Sequence, residues 1–357
     1  MISIPGDILE GGGQILRISV ALSSISGKPL KIFNIRANRS PPGLRGQHLN
    51  AVKAVAMLVN AQVEGLKLGS TAISFLPHNI KGGSFNVDVG TAGSSNLVLQ
   101  ALMPVAPFAP SNVSVGIRGG TNNPKAPPTD YIQMVLLPTI AKMGFKGSVN
   151  LLRRGFFPKG QGIIKSEFRP VKRLMPIQLT SSAEVKRLFG LSYSSKLPSH
   201  IVERMAKSAE TTLSKKSFKN MNIDLEVLQS NNSKCAVDSG CGIILLAELT
   251  SGSILCANSI GKIGKPAEKV GEDAATDLLK QLNSGAPVDK YLADQIIVYM
   301  SLADGISKIR TTELTLHTLT CIEISKRVLG TNFSIEGELG NQATITCKGI
   351  GLENSAI

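Results

Sequence analysis

Apolar residues recur at intervals of three and four in several segments of the chain, and alternate with polar residues in short runs between them. In the first unit, residues 4–77, this pattern predicts a helix that starts near Gln14 and stops at Gly27, followed by a strand at 30–35. A second helix and two short strands complete the unit. The apolar face of the second helix carries Leu49, Val52, Ala56 and Val59.

The same order of elements is predicted twice more, which indicates internal repeats. In the second unit, Ser94 or Ser95 is a suitable N-cap for the first helix, and a strand is predicted at 113–117. In the third unit the first helix begins near Gln295, and the second begins just after His317. Each unit is therefore expected to pair two helices with a four-stranded sheet, whose apolar faces pack together.

The spacing between the units locates an insertion. Gln14 and Asn96 open equivalent helices 82 residues apart, whereas Asn96 and Gln295 open equivalent helices 199 residues apart. The excess is about the length of a small domain. We therefore predict an α+β fold, in which a large domain of three repeated units carries a smaller inserted α/β domain. The predicted limits are 1–175 and 275–357 for the large domain, and 176–274 for the insert.

Composition adds a preference for an anionic partner. The chain has 357 residues, 42% of them hydrophobic, and a formal charge of +14 with a pI of about 9.6. This charge favours nucleic acid as the partner, although a merely basic soluble protein is the alternative. One basic stretch lies in the insert, at 214–219. Only 4% of residues are aromatic and Trp is absent, so recognition is expected to use phosphates rather than base stacking.

The sequence also bears on compartment and redox state. The N-terminal residues lack the charged and apolar regions of a signal peptide, and no apolar run reaches the length of a membrane span. We therefore expect a cytoplasmic protein with no membrane partner. The five cysteines fit no zinc pattern, so reduced thiols are expected, with a disulfide within or between chains left open. Whether the chain forms a homodimer is also left open.

The densest candidate chemistry lies near the N-terminus. The peptide EGGGQILR places Glu10, three glycines and Arg17 around a helix start, where free backbone N–H groups attract anions. The loop before the next helix carries Arg36, Arg39 and Arg45, whose guanidinium forks match phosphate oxygens. A carboxylate in the same place can hold a metal that the phosphates also contact. These segments indicate a polyphosphate site, although glycine-rich turns before helices are also common structural features.

A nucleotide would have to be bound without the standard motifs. The segment 261–266 (GKIGKP) looks like a Walker A motif, but it lacks the Ser or Thr and the required spacing. The segment 291–295 combines the aromatic face of Tyr291 with the carboxylate of Asp294 and the amide of Gln295. This combination suits an adenine ring, but Tyr291 could equally belong to the core.

Among the histidines, one is a candidate nucleophile. His78 and His200 are interpreted as surface residues, and His48 as a polar cap at a helix start. His317 lies at the start of a helix in the third unit, where the helix dipole disfavours the imidazolium form. A neutral imidazole is the form that can attack phosphorus. A capping or packing role is the alternative for His317.

These segments, in this order, resemble the RNA 3′-terminal phosphate cyclases. The matching segments are 10–17, 36–55, 91–100, 119–130, 154–162, 291–295 and 314–322. The insert matches more loosely, chiefly at 242–276. The resemblance implies that the large domain is similar to the C-terminal domain of a translation initiation factor. One departure is Gln161, which stands where the family often has the middle of three glycines.

The resemblance also implies an activity, that of the catalytically active branch of the family. ATP would adenylate a histidine, and the AMP would pass to the 3′-phosphate of an RNA. Attack by the neighbouring 2′-OH would then give a 2′,3′-cyclic phosphate. Relatives without the histidine serve in ribosome assembly, so a basic RNA-binding scaffold is the competing hypothesis. The presence of His317 favours the enzyme.

The resemblance carries over residue by residue. The nucleophile falls on His317, and the metal-binding and nucleotide-binding glutamate falls on Glu10, with Mg²⁺ or Mn²⁺ as the metal. The phosphate-side positions are Arg17, Arg36, Arg39 and Gln47, to which the arginine loop adds Arg45. Gln100 falls on a nucleotide-binding glutamine. The adenine ring would be flanked by Pro127 and Tyr291, with Asp294 and Gln295 beside it.

Overall fold

The computed structural model describes residues 1–215, 218 and 221–357. The first unit consists of β1 (Ile2–Pro5), α1 (Gly13–Ser26), β2 (Leu30–Phe33), α2 (Gly46–Val59), β3 (Gln62–Glu64) and β4 (Ile73–Leu76). Its sheet has the strand order β1-β2-β4-β3. Gly27 ends α1 in the left-handed conformation (φ 67°), which glycine adopts without steric cost, and this confirms the predicted stop.

The second unit repeats this arrangement. It consists of β5 (Gly83–Asp88), α3 (Ser95–Leu102), a 3₁₀ turn (Ala106–Phe108), β6 (Val113–Gly119), α4 (Thr129–Tyr131), a π-helical turn (Ile132–Leu136), α5 (Leu137–Ala141), β7 (Gly147–Arg153) and β8 (Gly162–Phe168). The strand order is β5-β6-β8-β7. Ser94 is the N-cap of α3, as predicted, because its hydroxyl accepts a hydrogen bond from the backbone N–H of Leu97.

The next segment builds a separate layer of helices on a sheet. It contains β9 (Gln178–Leu179), β10 (Val185–Ser195), α6 (Ser199–Ser214), β11 (Met221–Leu228), β12 (Gly240–Leu249), β13 (Ile254–Ile260) and α7 (Ala267–Asn283). The sheet has the order β11-β10-β12-β13, and α6 and α7 pack against each other beside it. Residues 216, 217 and 219 of the basic stretch lie outside the described residues.

The third unit closes with β9 as its first strand. It adds α8 (Lys290–Leu302), β14 (Ile306–Thr311), α9 (Leu316–Leu329), β15 (Asn332–Gly337) and β16 (Ala343–Lys348), in the strand order β15-β16-β14-β9. The predicted start of α9 just after His317 is wrong, because the helix begins at Leu316. Thr315 sets this start, since its hydroxyl accepts a hydrogen bond from the N–H of Thr318. His317 therefore lies inside the first turn.

The three units share one pairing pattern. In each, the first strand is parallel to the second, and the other neighbours are antiparallel. The predicted domain limits stay predictions. β9 follows residue 175 but pairs with β14, and α7 continues beyond 274 to Asn283 while it packs on α6.

One apolar core joins the three units and fixes the relative positions of their helices. The core includes Ile4, Val115 and Ile309, one from each unit, all fully buried. Over this core, α1 packs against α2, α3 and α9, and α8 packs against α9. The starts of α1 and α9, which are far apart in sequence, are therefore neighbours in space.

A buried ionic cluster connects the second unit to the sheet that contains β10 and β11. Arg154, only 1% exposed, donates two hydrogen bonds of 2.9 Å to the carboxylate of Asp130. It also donates to Glu226 on β11 at 2.6 Å, and its guanidinium lies 4.0 Å from the ring centre of Tyr193 on β10. These contacts fix the orientation of the sheet relative to the second unit.

The cysteines are in the form that the sequence predicts. All five are free thiols; Cys241 is half-buried and the other four are buried. Burial raises the pKa of the Cys321 thiol well above its usual value, so this group is neutral. Among the described residues, no helix combines the length and apolar character needed to cross a membrane.

Candidate active site

Side chains from distant parts of the chain line one cavity of about 1110 Å³. Its walls come from the loops before α1 and α2, from α3, from the loop between β6 and α4, from the segment after β13, and from α8 and α9. The predicted site residues that line it are Glu10, Arg17, Arg36, Arg39, Gln47, Gln100, Pro127, Tyr291, Asp294, Gln295 and His317. The structure thus brings these residues together, while the role of each stays a prediction.

Arg45 is the predicted site residue that does not line the cavity. It is the N-cap residue of α2, and its side chain is exposed. Its backbone N–H donates to Nδ1 of His48 at 3.2 Å, which confirms the interpretation of His48 as a polar cap. Burial, followed by the charges of Arg17, Arg36 and Arg45, lowers the pKa of His48 to about 3, so His48 is neutral.

Gly12 and Gly13, at the start of α1, allow neighbouring side chains to lie close to the backbone of the helix. A side chain at Gly12 would collide with the carboxylate of Glu10, and one at Gly13 would collide with the ring of His48. Neither glycine has a left-handed backbone, so the constraint is space rather than conformation. The missing side chains allow Glu10 and His48 to lie directly against the first turn of α1.

Glu10 has one occupied and one free carboxylate oxygen. Oε1 accepts a hydrogen bond of 2.5 Å from Arg39, which also donates to the backbone carbonyl of Glu10 at 3.1 Å. Oε2 is buried and has no hydrogen-bond partner among the described residues. This free oxygen fits a metal ligand. Within those residues no cluster of three or more His, Cys, Asp or Glu side chains could hold a metal alone, so phosphate or water oxygens would have to complete the coordination.

Arg17, Arg36 and Arg39 line the cavity and place positive charges close together. Burial lowers the pKa of Arg17 to about 10, although Asp294 and Glu10 oppose this shift. Burial also lowers the pKa of Arg36, and the charges of Arg45 and Arg39 add to the effect. The guanidinium of Arg36 is held within its loop by the carbonyls of Pro41 and Gly43, at 3.0 and 2.9 Å. An anion would relieve this repulsion.

His317 is neutral and oriented. Its Nδ1 lies 2.8 Å from the side-chain oxygen of Gln14. Partial burial lowers the pKa of His317; Glu10 opposes this shift, and the charges of Arg17 and Arg39 reinforce it. The imidazole therefore carries no charge at neutral pH, as a nucleophile requires.

The cavity lining also includes tyrosine rings and side-chain amides. Tyr291 is 38% exposed, so it lines the cavity rather than the core, and its ring meets Tyr131 edge-on at 6.4 Å. The amide of Gln100 donates to the side-chain oxygen of Gln295 at 2.8 Å. Burial raises the pKa of Asp294 to about 7, against the opposing charge of Arg17.

Two groups of lining residues were not singled out by the sequence. Gln14 lies within the glycine-rich peptide, but its partner His317 is 303 residues away, so nothing local indicated their contact. The segment after β13 lines the cavity through Lys262 and Lys265, among others. Its sequence GKIGKP, rich in glycine and lysine, indicated a contact with an anion. Comparison with the Walker A motif did not reveal this role, because the segment reaches the cavity from the sheet of β10–β13.

The fold and the cavity define a mixed α/β protein in which a neutral histidine, a carboxylate and several arginines surround a site for an anion. A family model described as RNA 3′-terminal phosphate cyclase matches residues 8–335. The chain belongs to this family, which is a family of enzymes.

Curated relatives match over nearly their whole length. The protein named RNA 3′-terminal phosphate cyclase from Ignicoccus hospitalis is 46% identical over 98% of this chain and 99% of its own. The protein of the same name from Caldivirga maquilingensis is 45% identical, over 93% of this chain and 94% of its own. That from Pyrococcus furiosus is 42% identical, over 97% and 98%.

Proposed function

We propose that this enzyme uses ATP to convert the 3′-terminal phosphate of an RNA into a 2′,3′-cyclic phosphate, through an AMP bound covalently to His317. The observation that carries the proposal is the placement of His317 in one cavity with Glu10, Arg17 and Arg39. A scaffold that only binds RNA would not need a neutral imidazole beside phosphate-binding groups. The curated relatives, which bear the name of this activity, support the same reaction.

In the first step, the lone pair on Nε2 of His317 attacks the α-phosphorus of ATP. The N–P bond forms as the bond to the bridging oxygen breaks, and pyrophosphate leaves with that electron pair. Arg17 and Arg39 stabilise the negative charge that builds on the phosphate oxygens. Pro127 and Tyr291 hold the adenine ring, and the amides of Gln100 and Gln295 contact the nucleoside.

Glu10 would hold the metal, for which Mg²⁺ and Mn²⁺ are the candidates. Its buried Oε2 lacks a partner among the described residues, and the adjoining Oε1 is fixed by Arg39. When bound, a divalent metal supplies further charge stabilisation to phosphate oxygens. Glu10 and Arg39 keep that position ready, because their hydrogen bond orients the carboxylate.

In the second step, an oxygen of the RNA 3′-phosphate attacks the phosphorus on His317. The N–P bond breaks, His317 regains its lone pair, and the RNA carries an activated diphosphate linkage to AMP. The neighbouring 2′-OH then attacks the RNA phosphorus and loses its proton to water, while AMP leaves with the electron pair of the broken P–O bond. Arg36 and Gln47 bind the RNA phosphate at the mouth of the cavity, and Arg45 contributes from outside it. The 2′-OH is already beside the phosphorus, so positioning supplies most of the acceleration.

The proposal also includes the architecture and the compartment that the resemblance implies. We infer that the three units are repeats of the kind found in the initiation-factor domain, because their sheets share one strand order and one pairing pattern. The sheet with α6 and α7 would then be the insert. The reaction is assigned to the cytoplasm, and the free thiols support this setting.

The test is covalent labelling without RNA. Incubation with a divalent metal and ATP that carries the label in its α-phosphate should leave label on the denatured protein, stable to alkali and lost in acid, as expected for a phosphoramidate. His317→Ala should abolish the label, because the nucleophile is gone. The matched control is His200→Ala, which changes an exposed histidine and should label like the wild type.

Transfer is tested by adding RNA to the labelled, isolated protein. An RNA with a 3′-phosphate should discharge the label as AMP and acquire a phosphatase-resistant cyclic end, whereas the same RNA with a 3′-OH should not. An unlabelled wild-type protein, or equal labelling of His317→Ala, would eliminate the proposed enzyme mechanism.

A further inference from the structure

Gln14 is absent from the residues that the sequence predicts for the site, yet its amide makes the direct contact with His317. The side chain is buried, with 8% exposure, and has three polar neighbours. Its oxygen Oε1 lies 2.8 Å from Nδ1 of His317. Its nitrogen Nε2 donates to Oδ2 of Asp294 at 3.2 Å and to Sγ of Cys321 at 3.1 Å.

The neighbours fix which end of the amide faces the histidine. Above its pKa of about 7, Asp294 is a carboxylate that only accepts hydrogen bonds, so it faces the NH₂ end of the Gln14 amide. The thiol sulfur of Cys321 lies on the same side and is a weak acceptor. The reversed amide would set its oxygen against the carboxylate oxygen, two acceptors in contact inside the protein. The amide oxygen therefore faces His317.

This orientation decides the tautomer of the imidazole. An amide oxygen only accepts hydrogen bonds, so Nδ1 of His317 must carry the proton. In a neutral imidazole the other nitrogen, Nε2, then has the free lone pair. Without such a contact, both neutral tautomers would be populated, and the one with a proton on Nε2 cannot attack phosphorus.

We propose that Gln14, held by Asp294 and Cys321, is a positioning residue that keeps the Nδ1-protonated tautomer of His317 and so presents Nε2 as the nucleophile. The inference rests on the proposed function, because it supplies the reason why this histidine reacts with ATP. Gln14 is thereby added to the site residues predicted from the sequence. Asp294, which is proposed to lie beside the nucleotide, also holds the amide of Gln14. The hydrogen bond between Gln14 and His317 also fixes the rotation of the ring.

The decisive measurement is the ¹⁵N spectrum of the histidine rings in protein without nucleotide, at a pH well above 7, where Asp294 is ionised. Chemical shifts distinguish a protonated ring nitrogen from a bare one, and the His317→Ala spectrum identifies the resonances of His317. Wild-type protein should show a protonated Nδ1 and a bare Nε2. Gln14→Met, which keeps the length of the side chain but removes the acceptor, should show a mixture shifted towards a protonated Nε2.

An exchange variant tests the role of Asp294. In Gln14→Glu/Asp294→Asn the amide and the carboxylate change places and the net charge is kept, so residue 14 still accepts from Nδ1 and residue 294 now donates. This double variant should restore the wild-type tautomer. The matched control is Gln133→Met, which removes a half-buried amide that donates to the carbonyl of Val149, away from the cavity. It should leave the spectrum of His317 unchanged.

The kinetic arm measures single-turnover labelling by ATP. Gln14→Met should slow labelling by about 10- to 100-fold, the usual effect of losing a group that orients a reactive ligand, while ATP affinity stays nearly constant. An unchanged tautomer in a folded Gln14→Met would overturn the inference. So would a changed tautomer with an unchanged labelling rate. If the wild type shows the expected tautomer but never labels, the proposed function fails instead, so the two failures are distinguishable.

Discussion

At the scale of single residues, the site contains two half-buried carboxylates with different partners. Glu10 accepts a hydrogen bond from Arg39, whereas Asp294 accepts one from Gln14, and its pKa is raised to about 7. Burial is the main cause of that shift, and the charge of Arg17 opposes it. Asp294 holds the Gln14 amide, but its ionisation at higher pH lowers the stability of the folded protein.

Asp294→Asn should remove this cost. The folded carboxyl takes up its proton near pH 7 and the unfolded one near 4, so the folded state binds more protons between these values and stability falls as pH rises. The neutral amide has no such dependence. The free energy of unfolding of Asp294→Asn, relative to wild type, should therefore rise by ~3 kcal/mol between pH 4 and pH 8. Urea titrations at several pH values measure this, and a constant difference would contradict it.

At the scale of elements, the site is assembled from the first turns of helices. α1 begins with glycines that let Glu10 and His48 approach, and α9 begins at Thr315, which caps the turn that holds His317. The contact between α1 and α9 then brings these turns together. Side-chain size at the first residue of α1 is therefore critical to the site.

Gly13→Ala should disturb the site through packing alone. The added methyl group would overlap the ring of His48 and come within 3.3 Å of Arg17, so both side chains must move. We expect slower labelling by ATP and a loss of ~1 to 3 kcal/mol in stability. Gly46→Ala is the matched control, because Gly46 is the first residue of α2 and, among the described residues, no atom lies near the added methyl. Equal behaviour of the two variants would disprove this reasoning.

At the scale of the whole molecule, local signals in the sequence predicted the element order of the three units, whereas Gln100 and Pro127 of the cavity lining were expected from the resemblance alone. Gly27 and Ser94 are such signals, because a left-handed stop and an N-cap depend on neighbours in sequence. The misplaced start of α9 came from overlooking the Thr315 cap. The contact of Gln14 with His317, the cavity wall at Lys262 and the outward position of Arg45 depend on tertiary packing, which spacing does not encode.

The buried cluster around Arg154 should dominate the stability of the junction between layers. Arg154→Met would leave Asp130 buried without its cation, which should lower the free energy of unfolding by about 3 to 5 kcal/mol. Arg204→Met is the matched control, because the pair of Arg204 with Glu268 also joins separate elements but is exposed. It should cost less than about 1 kcal/mol. If urea unfolding shows the same loss of unfolding free energy in both variants, the buried pair contributes no more to stability than the exposed one.

The wide sequence separation inside the site has a consequence for biosynthesis. The backbone N–H of Glu10 donates to the hydroxyl of Thr320, which lies 310 residues further along the chain. A growing chain therefore contains Glu10 and the site arginines long before the ribosome has added His317. If His317 is the nucleophile, as proposed, premature termination anywhere upstream of α9 leaves a fragment that cannot form the AMP adduct, so incomplete translation products would not use ATP.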